Sequence, residues 1–135
     1  MKILGIEHIG IAVNQINERK DFWEKVLGIK LTGQENVRSE SVETAIFDSG
    51  KGKIELLESK KPDSAIQKFI DKSGEGIHHI CLKVDNIDSA IDELKAAGIS
   101  AIYPVPKVGA EGFLVTFIHP RDTGGILVEL AQDPS

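Results

Sequence analysis

Hydrophobic and polar positions alternate along residues 4–13, placing Ile6, His8, Gly10 and Ala12 on one face and Glu7, Ile9, Ile11 and Val13 on the other. A period of two in a stretch this rich in Ile and Val predicts a strand. The period then lengthens. Ile16, Phe22, Trp23, Val26 and Leu27 approximate one helical stripe, with Asn14 and Asn17 as capping side chains ahead of it and Gly28 as its stop. Residues 29–34, 41–48 and 51–58 follow as strands, the last two joined at the turn-forming pair Ser49-Gly50. The first half therefore reads β-α-β-β-β.

Residues 59–73 form a seam, where Pro62 and then Asp63 or Ser64 precede a short helix carrying Ala65, Ile66, Phe69 and Ile70, closed by Gly74 and Gly76. Beyond it the same order starts again. Residues 77–84 alternate as a strand, and Ile87, Ala90, Ile91, Leu94 and Ala97 mark a helix ending at Gly98. Residues 99–103, 113–119 and 125–131 supply three further strands, with a Pro- and Gly-rich loop at 104–112 and a hairpin signal at 120–125.

The repetition extends to individual residues. Ile6-Glu7-His8-Ile9-Gly10-Ile11-Ala12-Val13 lies over Ile77-His78-His79-Ile80-Cys81-Leu82-Lys83-Val84, with His8 over His79 at a separation of 71 residues. Lys53-Ile54-Glu55-Leu56-Leu57 lies over Leu127-Val128-Glu129-Leu130-Ala131, with Glu55 over Glu129 at a separation of 74. Each half thus carries one His near its start and one Glu near its end. Self-similarity at this period predicts two tandem βαβββ modules, about 1–60 and 74–135. At 135 residues they are expected to share one domain, 1–135, of α+β class, with a curved eight-stranded mixed sheet around a common site.

Composition narrows the function without naming it. A net charge of −5 argues against nucleic acid or an anionic membrane as the main partner, because both call for a basic surface. The single cysteine, Cys81, excludes an internal disulfide and a cysteine-cluster metal site. No apolar run reaches the length of a membrane span and no signal-like N-terminal pattern is evident, so the cytoplasm is the expected compartment.

A lone His in an apolar strand is more often a hydrogen-bonded core residue than a ligand, and a lone Glu there more often faces outward. Recurrence of both at equivalent places changes the balance, since a buried carboxylate without a partner costs several kcal/mol, on the order of a lost charge pair. His8, Glu55, His79 and Glu129 together make a nitrogen and oxygen donor set suited to a divalent transition metal. His78 falls on the opposite strand face from His79, and His119, before Pro120, is expected to shape the hairpin. Trp23 and Phe22 read as helix-face core and Lys60-Lys61 as solvated surface.

These stretches, with Pro106-Lys107-Val108-Gly109-Ala110-Glu111-Gly112 and Phe117-Ile118-His119-Pro120, resemble the vicinal-oxygen-chelate superfamily over nearly the whole chain, and within it the methylmalonyl-CoA epimerases. The resemblance implies that His8, Glu55, His79 and Glu129 hold one divalent metal, cobalt first, with nickel, manganese, zinc or iron as alternatives. Some members carry Gln where this chain has Glu55. It further implies a CoA thioester substrate, a homodimer, and two acid–base carboxylates, Glu129 and Glu43, that exchange the proton at carbon 2 through a metal-stabilised enolate. The nearest alternative is a glyoxalase I-type lactoylglutathione lyase, against which the 106–112 loop and the His119-Pro120 hairpin speak. A metal-free small-molecule-binding module of the same fold is a different class of answer, and such modules usually lose the His and Glu set retained here. An iron-dependent dioxygenase would leave the fourth ligand unexplained.

Overall fold

The computed structural model describes residues 1–135. The strands are β1 (Ile3–Ala12), β2 (Lys30–Val37), β3 (Val42–Asp48), β4 (Lys53–Ser59), β5 (Gly76–Val84), β6 (Lys107–Val108), β7 (Leu114–Ile118) and β8 (Val128–Gln132). The helices are α1 (Ile16–Asp21), continued by a π-helical turn over Phe22–Val26, α2 (Ala65–Ser73) and α3 (Ile87–Ala96). The strands form one mixed eight-stranded sheet in the order β2-β3-β4-β1-β5-β8-β7-β6. Its two halves repeat one pattern: β1 runs parallel to β4 and β5 parallel to β8, and each of these parallel partners pairs antiparallel with the strand before it. No helix is long and apolar enough to cross a membrane.

The chain separates into two compact units, His8–His78 and Met1–Glu7 together with His79–Ser135. Hydrogen bonds explain why these limits differ from a plain cut at the seam. The first residues are tied to the second repeat, because the Lys2 N–H donates to Asp85 Oδ1 and the Asp85 N–H donates to the Lys2 carbonyl. The seam is tied to the first repeat. Ser64 Oγ lies 2.5 Å from Ser59 Oγ at the end of β4, and Ser64 also accepts the Gln67 N–H as the cap of α2.

In the His8–His78 unit, Val13, Ile16, Ala45, Phe47 and Leu56 form the core, with Ile11, Trp23, Ile29, Leu31 and Ile54 packed against it. Burying side chains such as Phe47 and Leu56 contributes about 1.5–3 kcal/mol each. The β3 and β4 members, Ala45, Phe47, Ile54 and Leu56, share one sheet face by register, so α1 covers that face and leaves the other for chemistry. The start of α1 is not capped by Asn14 or Asn17. Remote glutamates act instead: Glu58 Oε1 accepts the Ile16 N–H at 2.8 Å and Glu75 Oε2 accepts the Asn14 N–H at 2.7 Å. Glu75 also receives the Arg19 guanidinium at 2.7 and 3.0 Å, which holds its carboxyl below the usual glutamate range, with the Asn14 N–H as the next cause.

In the other unit, Val84, Ile87, Ala90, Leu94 and Leu130 make the corresponding core beneath α3, whose cap is Asn86. The strand expected at 99–103 is absent as a ladder. One backbone bond, Ile102 N–H to the Phe117 carbonyl, reaches β7, and the Thr116 hydroxyl supplies the rest, accepting from the Tyr103 N–H and donating to the Tyr103 carbonyl. On the side of β7 away from β8, the strand partner is the short β6, inside the Pro- and Gly-rich loop. There a Cβ at Gly109 would stand 3.1 and 3.2 Å from the two methyls of Val115, which would have to give by a few tenths of an ångström.

Candidate functional site

Of the 21 acidic residues in the chain, two are buried, Glu55 at 3% exposure and Glu129 at 7%. Of the four histidines, two are buried, His8 at 6% and His79 at 5%. These are the four residues singled out by the repeat.

Each unit brings one His and one Glu together on neighbouring parallel strands. In the His8–His78 unit, β1 and β4 are in register with Gly10 beside Glu55 and His8 beside Lys53, so His8 and Glu55 share a face. His8 Nδ1 lies 3.1 Å from Glu55 Oε2. In the other unit β5 and β8 place Cys81 beside Glu129, and His79, two residues earlier on the same face as Cys81, brings Nε2 to 3.0 Å from Glu129 Oε1. Phe117, opposite Glu129 on β7, packs edge-on against the His79 ring at 5.8 Å between centroids. An aromatic wall of this kind fixes the imidazole and keeps water from the carboxylate.

Donors about 2.1 Å from one cation and at right angles to each other stand about 3.0 Å apart. Both His–Glu pairs have that edge length. Imidazole nitrogen with carboxylate oxygen is the donor chemistry of zinc, cobalt, nickel, manganese and iron, and burial keeps competing water away. The residues present fit a divalent metal.

The other histidines go elsewhere. His78 turns to the opposite face, where its ring meets Phe69 of α2 edge-on at 5.1 Å. His119 is a cap, its Nδ1 accepting the Arg121 N–H at 3.1 Å.

Glu43 is not brought to the ligand face. The β3–β4 register pairs Glu43 with Glu58 and Ile46 with Glu55, so Glu43 points to the face that packs on α1. Its neighbour Thr44 points the other way, opposite Leu57 on β4 and opposite Glu35 on β2. Parity along the β3–β4 hairpin is enough to find Thr44, whereas Glu35 lies beyond the strand expected at 29–34, in a β2 that runs on to Val37. Thr44 is 1% exposed and its Oγ1 is the one buried side-chain polar atom without a hydrogen-bond partner. An orphaned buried hydroxyl of this kind costs about 1–3 kcal/mol.

Comparison with known proteins agrees with this construction. Residues 7–117 match the model of the glyoxalase/bleomycin resistance protein/dioxygenase superfamily. An uncharacterised protein of Bacillus subtilis, YqjC, is 38% identical over 94% of this chain and 91% of its own. The ethylmalonyl-CoA/methylmalonyl-CoA epimerase of Cereibacter sphaeroides is 36% identical over 94% of this chain and 96% of its own. A solved methylmalonyl-CoA epimerase in complex with methylmalonyl-CoA and NH4+ superposes with a TM-score of 0.94 at 30% identity, covering 99% of this chain and 97% of that one. The chain thus belongs to the glyoxalase/bleomycin resistance protein/dioxygenase superfamily and, within it, to the family of the methylmalonyl-CoA epimerases.

Proposed function

We propose that the protein is an epimerase of methylmalonyl-CoA, interconverting its two carbon-2 epimers, and that the repeated modules act as one domain. One observation carries the reading: the only buried acids and the only buried histidines are the two His–Glu pairs that the repeat generates twice. Similarity over nearly the full chain to epimerases of this substrate class supports it.

On this reading His8, Glu55, His79 and Glu129 hold one divalent metal, cobalt first among the candidates. When bound, such a cation withdraws electron density from the thioester and makes the carbon-2 proton more acidic. The protein's own groups move that proton. Epimerisation removes hydrogen from one face of carbon 2 and returns it to the other, so two carboxylates are needed. Glu129 is one, held beside His79 with little water around it. Glu43 is set aside as the second in this reading, because the β3–β4 register puts it opposite Glu58, on the face away from Glu55. The second role falls to Glu35, the half-buried carboxylate that shares the Glu55 face beyond Thr44. The homodimer and the cytoplasmic location implied by the sequence resemblance belong to the same reading.

Each purified epimer of methylmalonyl-CoA, incubated with protein in heavy water, is expected to take up deuterium at carbon 2 and to approach the same mixture of configurations. No uptake from either epimer by metal-loaded protein overturns the proposal.

A further inference from the structure

On the ligand face of each unit, the residue two places before the one opposite the buried glutamate occupies an equivalent position. In β7, Phe117 lies opposite Glu129 and the position is Val115, paired with Ala131. In β3, Ile46 lies opposite Glu55 and the position is Thr44, paired with Leu57. Both side chains are buried, Val115 at 2% and Thr44 at 1% exposure. Val and Thr have nearly the same shape, so the two units differ here by one hydroxyl in place of one methyl.

The chain's other buried threonine shows what a hydroxyl looks like when it serves the fold. Thr116 Oγ1 accepts the Tyr103 N–H at 3.0 Å and donates to the Tyr103 carbonyl at 2.9 Å. Thr44 Oγ1 has no such partner. On its own face its strand neighbours Val42 and Ile46 and its partner Leu57 are apolar and buried, so the place is one that a valine would fill. A hydroxyl kept in such a place without a structural partner calls for a partner that comes with a ligand.

The surroundings identify that partner's chemistry. Thr44 is the diagonal neighbour of Glu55 across the β3–β4 pair, about 7–8 Å away, and lies directly opposite Glu35, about 5 Å away between Cβ atoms. A ligand oxygen arriving between two carboxylates needs a donor, and a threonine hydroxyl has one hydrogen to give. We propose that Thr44 is a substrate-contacting residue, its hydroxyl donating a hydrogen bond to an oxygen of the free carboxylate of the malonyl thioester. The contact distinguishes malonyl-type thioesters from simple acyl thioesters, which have no oxygen to offer there. It rests on the epimerase reading given above.

The test compares Thr44→Val and Thr44→Ser with wild type, all metal-loaded, by deuterium uptake and inversion of methylmalonyl-CoA and by thermal unfolding. Thr44→Val installs the side chain that the other unit already carries, so it is expected to fold and to melt at or above the wild-type temperature. Its kcat/KM is expected to fall about 10- to 100-fold, the scale of one hydrogen bond to a charged group. Thr44→Ser, which keeps the hydroxyl, is expected to remain within about fivefold of wild type. Carbon-2 exchange of propionyl-CoA, which lacks the free carboxylate, is expected to be no slower in Thr44→Val than in wild type. A Thr44→Val protein that melts lower yet turns over methylmalonyl-CoA at the wild-type rate overturns the contact, because the hydroxyl then serves the fold. Inactive wild-type protein overturns the epimerase reading and the contact with it, whereas active wild type with an equally active Thr44→Val overturns the contact alone.

Discussion

Replacing His79 with alanine removes one nitrogen donor from a buried pair whose atoms lie 3.0 Å apart, and leaves Glu129 only 7% exposed beside Phe117. The change carries two separable costs. Without metal, losing the imidazole leaves the buried Glu129 carboxylate short of one partner while its desolvation penalty remains, a cost of about 1–3 kcal/mol. With metal, losing one of four ligands weakens affinity by at least the ~100-fold seen when a ligand's supporting partner is removed. At a metal concentration 100 times the wild-type Kd, wild-type protein gains about 2.7 kcal/mol and the variant about 0.4 kcal/mol, each measured against its own metal-free form. For a 135-residue chain the corresponding metal-induced rise in Tm is about 9 °C for wild type and about 1 °C for His79→Ala. The assay is thermal unfolding of chelator-stripped protein with and without added Co2+, alongside metal content per chain by mass spectrometry. Comparing each protein with itself removes the apo-state penalty from the difference. His119→Ala, which loses only an exposed cap, is the control and is expected to keep the wild-type rise. A His79→Ala protein that still binds one metal per chain and still gains about 9 °C refutes the assignment of His79 as a ligand.

The face assignment of the carboxylates is checked by kinetics: Glu43→Gln is expected to stay within about twofold of wild type, and Glu35→Gln and Glu129→Gln to lose about 100-fold or more. A comparable loss in Glu43→Gln would contradict the observed strand register, and the metal content of Glu129→Gln must accompany its rate because the residue doubles as a ligand. Away from the site, Glu75→Gln is expected to destabilise the protein by about 1 kcal/mol near neutrality. Since Arg19 and the Asn14 N–H lower the folded-state pKa of Glu75, its contribution is complete above the ordinary glutamate value of about 4.3 and is lost as pH falls through the lower folded value. Urea unfolding across pH 3–7 should therefore show the gap between wild type and variant closing at the acid end, and a gap that stays constant would sink this account.

The repeat made the sheet and the ligand pairs legible, because His8, Glu55, His79 and Glu129 sit where two copies of one pattern coincide. What it could not supply were contacts between residues distant in sequence. Glu58 and Glu75 hold the start of α1 from 42 and 61 residues away, and no local signal near Asn14 or Asn17 announces them. The segment at 99–103 has the composition of a strand, but the Thr116 hydroxyl takes the place of part of its backbone ladder. Glu43 is a different case. The turn after β3 closes with Asp48 paired to Lys53, whereas a two-residue Ser49-Gly50 loop would pair Asp48 with Lys51. Either even-length loop sets Glu43 opposite an even-numbered residue of β4, hence on the face away from Glu55. Parity alone was sufficient to move attention from Glu43 to Thr44.

Duplication accounts for the two His–Glu pairs but not for the proposed chemistry, because a reaction that joins two different epimers needs proton partners that are not copies of each other. The repeats differ at positions beside the two His–Glu pairs. Phe117 stands opposite Glu129 where Ile46 stands opposite Glu55, so one carboxylate lies against an aromatic edge and the other against an aliphatic chain. Val115 is an apolar side chain buried at 2% exposure, while Thr44 at the equivalent position holds a hydroxyl that has no hydrogen-bond partner in the fold. The conserved geometry of the two His–Glu pairs, 3.1 and 3.0 Å, sits beside these substitutions without being disturbed by them. Strand pairing permits this separation, since register fixes which positions face the ligands and leaves the side chains at neighbouring positions free to change. In each unit the repeated backbone can therefore keep its His–Glu pair while the residues beside that pair differ.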